Sequence, residues 1–331
     1  MKAIFMTSGI KKIDEIYTGE TRKTLEAELE FLPPVTGAAE LPSRPDLKEA
    51  EVIFSTWGML PLTAGEIKEY LPKLRAVFYG AGSVQYFARP FIESGVEVFS
   101  AWAANAVPVV EFTVAQIILA NKGYFQRFHH IPGKAWDNRS FGGYYTGNFG
   151  NKVGLIGIGM IGSLVAKMLK AYRLEILAFD PFLPDERAAG LGVTKVSLET
   201  LFSECTVISN HLANNPQTVG MLNKKLFDLM KPNAVFINTG RGAQVVEDDL
   251  ISALEAEPAR VALLDVTMPE PPKPDSRLYT LPNVFLSPHI AGSLGDEVAR
   301  MGDYMAEEFG RWKNGEKTKW GVSLKMLETM A

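Results

Sequence analysis

The sequence predicts an α/β protein built on two doubly wound parallel sheets, and three observations carry that expectation. Its 331 residues exceed one ordinary core and suit two domains of roughly 100–200 residues each. Short apolar, β-branched runs alternate with helical stretches along the chain, the pattern of parallel strands joined by crossover helices. One run opens directly into a glycine-rich turn, GIGMIG at 157–162, followed by helical spacing.

Composition narrows the class. Apolar residues make up 47% of the chain and charged residues 22%, as in a globular protein that buries a sizeable core. Thirty-four Lys plus Arg stand against 38 Asp plus Glu, and the interspersed signs leave no basic face for a nucleic-acid partner. The single cysteine, Cys205, excludes an intrachain disulfide and reads as an inert buried thiol, which fits a reducing compartment. The apolar stretch in MKAIFMTSG is too short for a signal peptide, and no run approaches about 18 apolar residues. The expectation is a cytoplasmic protein with no membrane partner.

In chain order, strands are expected at KAIFM, EVIFSTW, LRAVFYGAG and VEVFSA within the first hundred residues. The stretch NAVPVVEFTVAQIILANKGYF then reads as a helix with Pro108 in its first turn. A helix this apolar must be buried, between domains or between subunits. Residues 131–150, dense in Gly, Asn and aromatics, read as a loop. Six further strands follow at KVGLIGIG, EILAFD, TVISNHL, AVFINTG, VALLDV and NVFLSPHI, with helices in most gaps. This is the alternation a doubly wound sheet requires. The tail SLGDEVARMGDYMAEEFGRWKNG has helical spacing and stops at glycine.

The glycine turn supplies the first functional signal. Gly157, Gly159 and Gly162 form G-x-G-x-x-G between a strand and a helix. One glycine permits the tight turn, one lets backbone approach a pyrophosphate, and one lets helix and strand pack closely. The helix start beyond it offers unpaired N–H groups to the phosphates. Asp180 ends the next strand, roughly twenty residues on, where a carboxylate binds the ribose hydroxyls of a dinucleotide. The PFLP that follows brings no cation for a 2′-phosphate, so NAD is expected over NADP. The alternative for Asp180 is a turn residue before Pro181.

Ligands of open parallel sheets gather outside the carboxyl ends of the strands. Three strand ends there deliver Arg241, then Asp265 and Glu270, then His289. Arg241 suits a carboxylate, which it can grip with two parallel hydrogen bonds. His289 suits proton donation to a carbonyl oxygen, and Glu270 on its other ring nitrogen would favour the imidazolium. Ala291 and Gly292 would leave room beside that ring. Singly, each of the three reads equally as a surface charge or strand-end polar group; together on one ligand edge they point to oxidation and reduction of a 2-oxo/2-hydroxy acid pair. No Cys/His/carboxylate spacing suggests a metal, and the adjacent His129 and His130 diverge by about 100° on a helix.

With these pieces in place, the chain resembles the D-isomer-specific 2-hydroxyacid dehydrogenase family. YGAGS, the run from Asn105 to Glu111, GKAW at 133–136, VGLIGIGMIG, INTGRG, LLDVTMPEP and SPHIAGS carry the likeness by their order and spacing. The resemblance implies two Rossmann-like domains: a split substrate domain, 1–102 plus 295–331, around a contiguous NAD-binding domain, 103–294. It implies Arg241, Glu270 and His289 as catalytic residues. Backbone at Ala81 and Gly82 would meet the substrate carboxylate and Asn105 would lie at the substrate cleft, with Trp57 either lining the pocket or packing. The NAD set comprises the turn glycines with Met160 and Ile161, then Asp180, His211, Leu212, Ala213, Thr239, Gly240, Asp265 toward the nicotinamide carboxamide, Ala291 and Gly292. HLANNPQT at 211–218 departs from the family pattern, so His211 reads equally as strand-closing or cofactor-lining. The resemblance further implies a homodimer through the NAD domain. The competing readings are an NAD-binding regulator or scaffold without turnover, and a dehydrogenase of a phosphorus oxyanion.

Overall fold

The computed structural model describes residues 1–127 and 145–328. His129, His130, the GKAW stretch and most of the expected loop at 131–150 lie outside the described residues. Two compact units emerge: Met1–Ala106 with Ser293–Ala331, and Val107–Gly292. The breaks therefore fall at 106/107 and 292/293, beside the 102/103 and 294/295 read from sequence.

In the first unit, strands β1 (Lys2–Met6), β2 (Glu30–Val35), β3 (Val52–Ser55), β4 (Ala76–Tyr79) and β5 (Glu97–Ser100) form a parallel sheet in the order β2-β1-β3-β4-β5. This is a doubly wound order, with helices α1 (Ile10–Ile16), α2 (Gly19–Glu28), α3 (Ala64–Tyr70) and α4 (Ala88–Glu93) in the connections. Alternation along β1 feeds the two faces: Ile4 and Met6 enter one buried cluster, Ala3 and Phe5 the other. Phe5, Phe54, Phe78 and Phe99 face one another in register across β1, β3, β4 and β5, and the Phe78 and Phe99 rings stack 4.9 Å apart. Such cross-strand aromatic pairs lock register as well as burying area.

Strand β2 is absent from the sequence reading because its segment, EFLPPV, holds Pro33 and Pro34. It is an edge strand, where a missing N–H breaks no ladder, and its register with β1 shifts between Ile4 and Met6, opposite the prolines.

Helix α5 (Trp102–Asn121) runs from the first unit into the second. Its start corrects the expectation for Pro108, which lies inside the helix rather than in its first turn. Alanine-rich sequence before the proline extends the helix backwards, and Pro108 leaves the Ala104 carbonyl without its helical donor. The helix is long and apolar enough to cross a membrane by length and composition, yet more than half of it is buried within the protein. Val110, Val114, Ile117 and Ala120 enter the second unit's core.

The second unit carries α6 (Tyr124–Arg127), β6 (Phe149–Ile156), α7 (Met160–Leu169), β7 (Arg173–Phe179), α8 (Asp185–Leu191), β8 (Thr194–Lys195), α9 (Leu198–Glu204), β9 (Val207–Asn210), α10 (Lys224–Phe227), β10 (Val235–Asn238), α11 (Glu247–Ala256), β11 (Val261–Leu264) and β12 (Val284–Leu286). The sheet order is β12-β11-β10-β9-β6-β7-β8, all parallel, so the winding reverses between β6 and β9. The six expected strands are present, and the two-residue β8 adds a seventh at the edge. Strands β9, β10 and β11 are buried throughout, as a sheet covered on both faces demands. Cys205 is buried here, and burial pushes its thiol up to about 12. Back in the first unit, α12 (Ala299–Lys313) packs so closely that a Cβ at Gly302 would meet the Ile16 carbonyl oxygen at 2.0 Å, and β13 (Gly321–Val322) adds an antiparallel edge beside β5.

Candidate active site at the carboxyl edge of the seven-stranded sheet

The turn between β6 and α7 is shaped by contacts that only glycine satisfies at two of its positions. Gly157 has φ +86, and a Cβ there would lie 2.8 Å from the His211 carbonyl oxygen. A Cβ at Gly162 would lie 2.0 Å from the Gly157 carbonyl oxygen, so the helix rests directly on the turn. Around Gly159, in contrast, nothing would stand within 4 Å of a Cβ. Two glycines close the turn and the third leaves a face open at the start of α7, beside Met160 and Ile161, which is the cradle a pyrophosphate requires.

Asp180 follows β7 and does more than end a strand. Its Oδ2 accepts the Ile158 N–H at 2.7 Å and its Oδ1 accepts the Phe182 N–H at 2.8 Å. The carboxylate thus ties the glycine turn to the next strand end and also shapes its own turn. Arg187, on α8, donates to the Ile158 carbonyl at 2.9 Å and to Ser163 Oγ at 2.6 Å, so the backbone of Ile158 is held at both its N–H and its carbonyl.

His211 closes β9 at the point where the winding reverses. Its Nε2 lies 3.0 Å from Ser209 Oγ, whereas the buried Nδ1 has no hydrogen-bond partner among the described residues. Burial pulls the ring down to about 4, so it is neutral near pH 7. The His211 carbonyl packs against Gly157, which places the residue at the closed side of the glycine turn.

The three adjacent strands β10, β11 and β12 bring Arg241, Glu270 and His289 to the same edge. His289 Nδ1 lies 2.6 Å from Glu270 Oε1, and both side chains remain partly open to solvent. His289 has φ +54, the only positive φ outside glycine among the described residues. A backbone held there costs about 1–3 kcal/mol and persists only where surrounding bonds enforce it. Those bonds come from Asp265: its backbone carbonyl accepts the His289 N–H at 3.0 Å, its Oδ1 accepts Ser287 Oγ and the Ile290 N–H, and its Oδ2 accepts the Ala291 N–H at 2.8 Å. Asp265 and Ala291 are buried, so their bonds fix the histidine loop from beneath.

Arg241 is half-buried, with Nη1 donating to the Gly240 carbonyl at 2.8 Å. Burial holds its guanidinium below the ordinary arginine range, and the neighbouring Glu270 carboxylate acts in the opposite sense. Glu270 therefore faces both Arg241 and His289. The segment bearing it presses on the arginine loop, because a Cβ at Gly242 would lie 2.0 Å from the Thr267 carbonyl carbon. Thr239 is buried with its Oγ1 3.2 Å from Thr113 Oγ1, a residue of α5 that no sequence motif singled out.

In the first unit, Gly82 and Asn105 come together: a Cβ at Gly82 would lie 3.4 Å from Asn105 Nδ2. Asn105 Oδ1 accepts the Ser293 N–H at 2.9 Å. Ser100 Oγ donates to the carbonyls of Ala81 and Gly82, and the Ala81 N–H is engaged by Tyr79 O, which leaves the Gly82 N–H as the donor without a partner among the described residues. Trp57 is half-buried at the end of β3, its ring under Lys12 Nζ at 5.2 Å.

Comparison with known proteins accords with this edge. Residues 114–291 match the family model described as "D-isomer specific 2-hydroxyacid dehydrogenase, NAD binding domain". A D-3-phosphoglycerate dehydrogenase of Archaeoglobus fulgidus is 33% identical over 236 residues, covering 71% of this chain and 44% of that protein. One of Methanocaldococcus jannaschii is 30% identical over 272 residues, covering 82% of this chain and 51% of that protein. The chain thus spans about half the length of these relatives. A solved phosphoglycerate oxidoreductase from Rhizobium etli superposes with a TM-score of 0.82 at 22% identity, covering 98% of this chain and 99% of that one, which shows the shared fold. With the NAD-binding unit matched across the very residues that build the glycine turn and the Arg241, Glu270 and His289 edge, the chain belongs to the D-isomer-specific 2-hydroxyacid dehydrogenase family.

Proposed function

We propose that the protein is an NAD-dependent enzyme that interconverts a 2-oxo acid and the corresponding D-2-hydroxy acid. The observation that carries the proposal is the 2.6 Å contact between His289 and Glu270 on a strained loop, beside Arg241, at the carboxyl edge of the NAD-binding sheet.

Each residue has a role its chemistry supports. Gly157, Gly159, Gly162, Met160 and Ile161 would receive the pyrophosphate, and Asp180 the adenosine ribose. His211, Leu212, Ala213, Thr239, Gly240, Ala291 and Gly292 would line the cofactor. When bound, NAD(H) supplies or accepts the hydride. Arg241 holds the substrate carboxylate and draws electron density from the adjacent carbonyl. With Nδ1 held by Glu270, Nε2 of His289 is the ring nitrogen that gives a proton to the carbonyl oxygen in reduction and takes it back in oxidation. Glu270 stabilises the imidazolium and keeps the ring oriented. Asp265 acts beneath them, fixing the loop that presents the ring. Gly82 N–H and Asn105 would meet the substrate carboxylate and its neighbourhood, with Trp57 at the pocket wall.

A cytoplasmic homodimer through the NAD unit completes the proposal, with small-molecule substrates rather than nucleic acid or membrane as partners. Leu119, Tyr124 and Phe149, exposed by 40–64% on that unit, supply apolar surface suited to a subunit interface. Purified protein supplied with NADH and 2-oxo acids of graded size should oxidise NADH with at least one of them. Binding of NADH without consumption across the panel would replace the enzyme by an NAD-binding regulator.

A further inference from the structure

Gln244 is fully buried, and its side-chain amide makes all four hydrogen bonds it can form. Its Nε2 donates to the Leu212 carbonyl at 2.8 Å and to the Ala213 carbonyl at 3.0 Å. Its Oε1 accepts Asn210 Nδ2 at 2.6 Å and the Arg241 N–H at 3.3 Å. One end of the amide thus grips the loop after β9, on the cofactor side, and the other grips the backbone of the arginine that faces substrate.

The surrounding bonds make this a connected network. Asn210 Nδ2 also donates to Asn238 Oδ1, and its own Oδ1 accepts the Leu212 N–H. Asn238 accepts the Gly240 N–H and donates to the Arg241 carbonyl at 3.2 Å. Arg241 is therefore held by its N–H through Gln244 and by its carbonyl through Asn238. Gly240 packs tightly against the assembly, since a Cβ there would lie 3.0 Å from Gln244 Oε1 and 3.1 Å from Asn210 Nδ2. The Gln244 backbone is anchored as well, its carbonyl accepting the Leu222 N–H at 2.9 Å. A helix or strand needs no such amide at this position; two loops of irregular backbone at a ligand edge do.

We propose that Gln244 is a positioning residue that couples the cofactor-side loop at Leu212 and Ala213 to Arg241, so that one amide sets the geometry for NAD(H) and for the substrate carboxylate together. The inference rests on the reading of this edge as the site of NAD(H) and a 2-oxo acid. Losing the amide frees both loops at once, and both ligands should sense it.

Two variants test this. In Gln244→Met, similar in length and without hydrogen bonds, the dissociation constant of NADH and the KM for the 2-oxo acid should both rise by about tenfold, with kcat changing less. In Gln244→Glu, the protonated acid restores a donor toward the Leu212 and Ala213 carbonyls, while the carboxylate repels them. NADH affinity should therefore recover as pH falls, measured against the wild type at each pH. The titratable and charged groups on the packed segments are His211, neutral down to about pH 4, and Arg241, flanked by Glu270. A lower melting temperature in both variants, with NADH affinity and KM unchanged below it, would reduce Gln244 to a structural residue and overturn the proposal. So would a Gln244→Glu protein whose NADH affinity ignores pH. NADH binding is read by fluorescence without turnover, so a wild type that binds NADH but reduces no 2-oxo acid would defeat the proposed function while this arm still decides the role of Gln244.

Discussion

Glu270 is the residue on which the site turns, because it faces both a histidine and a half-buried arginine. Asp180 carries a double duty of its own, its carboxylate accepting the Ile158 N–H of the glycine turn while serving as the proposed ribose ligand. Asp180→Ala should raise the dissociation constant of NAD by tenfold or more and that of NADP less, since only NAD offers the free 2′-hydroxyl that a carboxylate accepts. Equal weakening in titrations with the two dinucleotides would mean that the carboxylate serves the turn alone. Arg241, Glu270 and His289 were legible in sequence because each follows an apolar run by a few residues. Gln244 and Thr113 were not, and Asp265 was placed at this edge without its hydrogen bonds to the histidine loop: these roles come from bonds between segments, and nothing in the local spacing of GAQVV or LLDVT says which neighbours will arrive.

At the scale of elements, legibility followed burial. Strands β9, β10 and β11 are buried throughout and stand where the sequence predicts them. The edges escaped. Strand β2 carries two prolines that an interior strand would exclude, and β8 and β13 are two residues each, too short to leave a periodic signature. Helix α5 was expected from its apolarity but begins at Trp102, since a proline in mid-helix is tolerated when packing on either side supplies the missing stability. The glycine turn was read correctly as an element, with the division of labour inside it set by tertiary contacts: Gly162 yields to the Gly157 carbonyl, whereas Gly159 stands open.

For the whole molecule, one buried group makes stability depend on acid. His211 is neutral in the fold with its ring pulled down to about 4, while in the unfolded chain it takes up a proton near its ordinary value of about 6.5. The unfolded state thus binds more protons between those values, so stability falls as pH drops through this window, by roughly 1.4 kcal/mol per unit, and levels off below the folded value. His211→Phe should flatten that part of the acid limb in denaturant titrations; a limb of unchanged slope would show that the ring is not the group responsible. The fold as a whole supplies two sheets of different doubly wound order, and only the seven-stranded one carries the glycine turn, the acid after the second strand and the three strand-end residues. That asymmetry is why the proposed chemistry and cofactor site are drawn on the second unit.

The most direct test of the central claim separates binding from chemistry at a single ring. His289→Ala should retain NADH affinity close to that of the wild type and lose turnover of the 2-oxo acid by about 100-fold or more, the loss expected when a general acid is removed. Turnover within a few-fold of wild type, with NADH binding intact, would contradict the assignment of His289 as the proton donor and with it the reading of the Glu270–His289 pair.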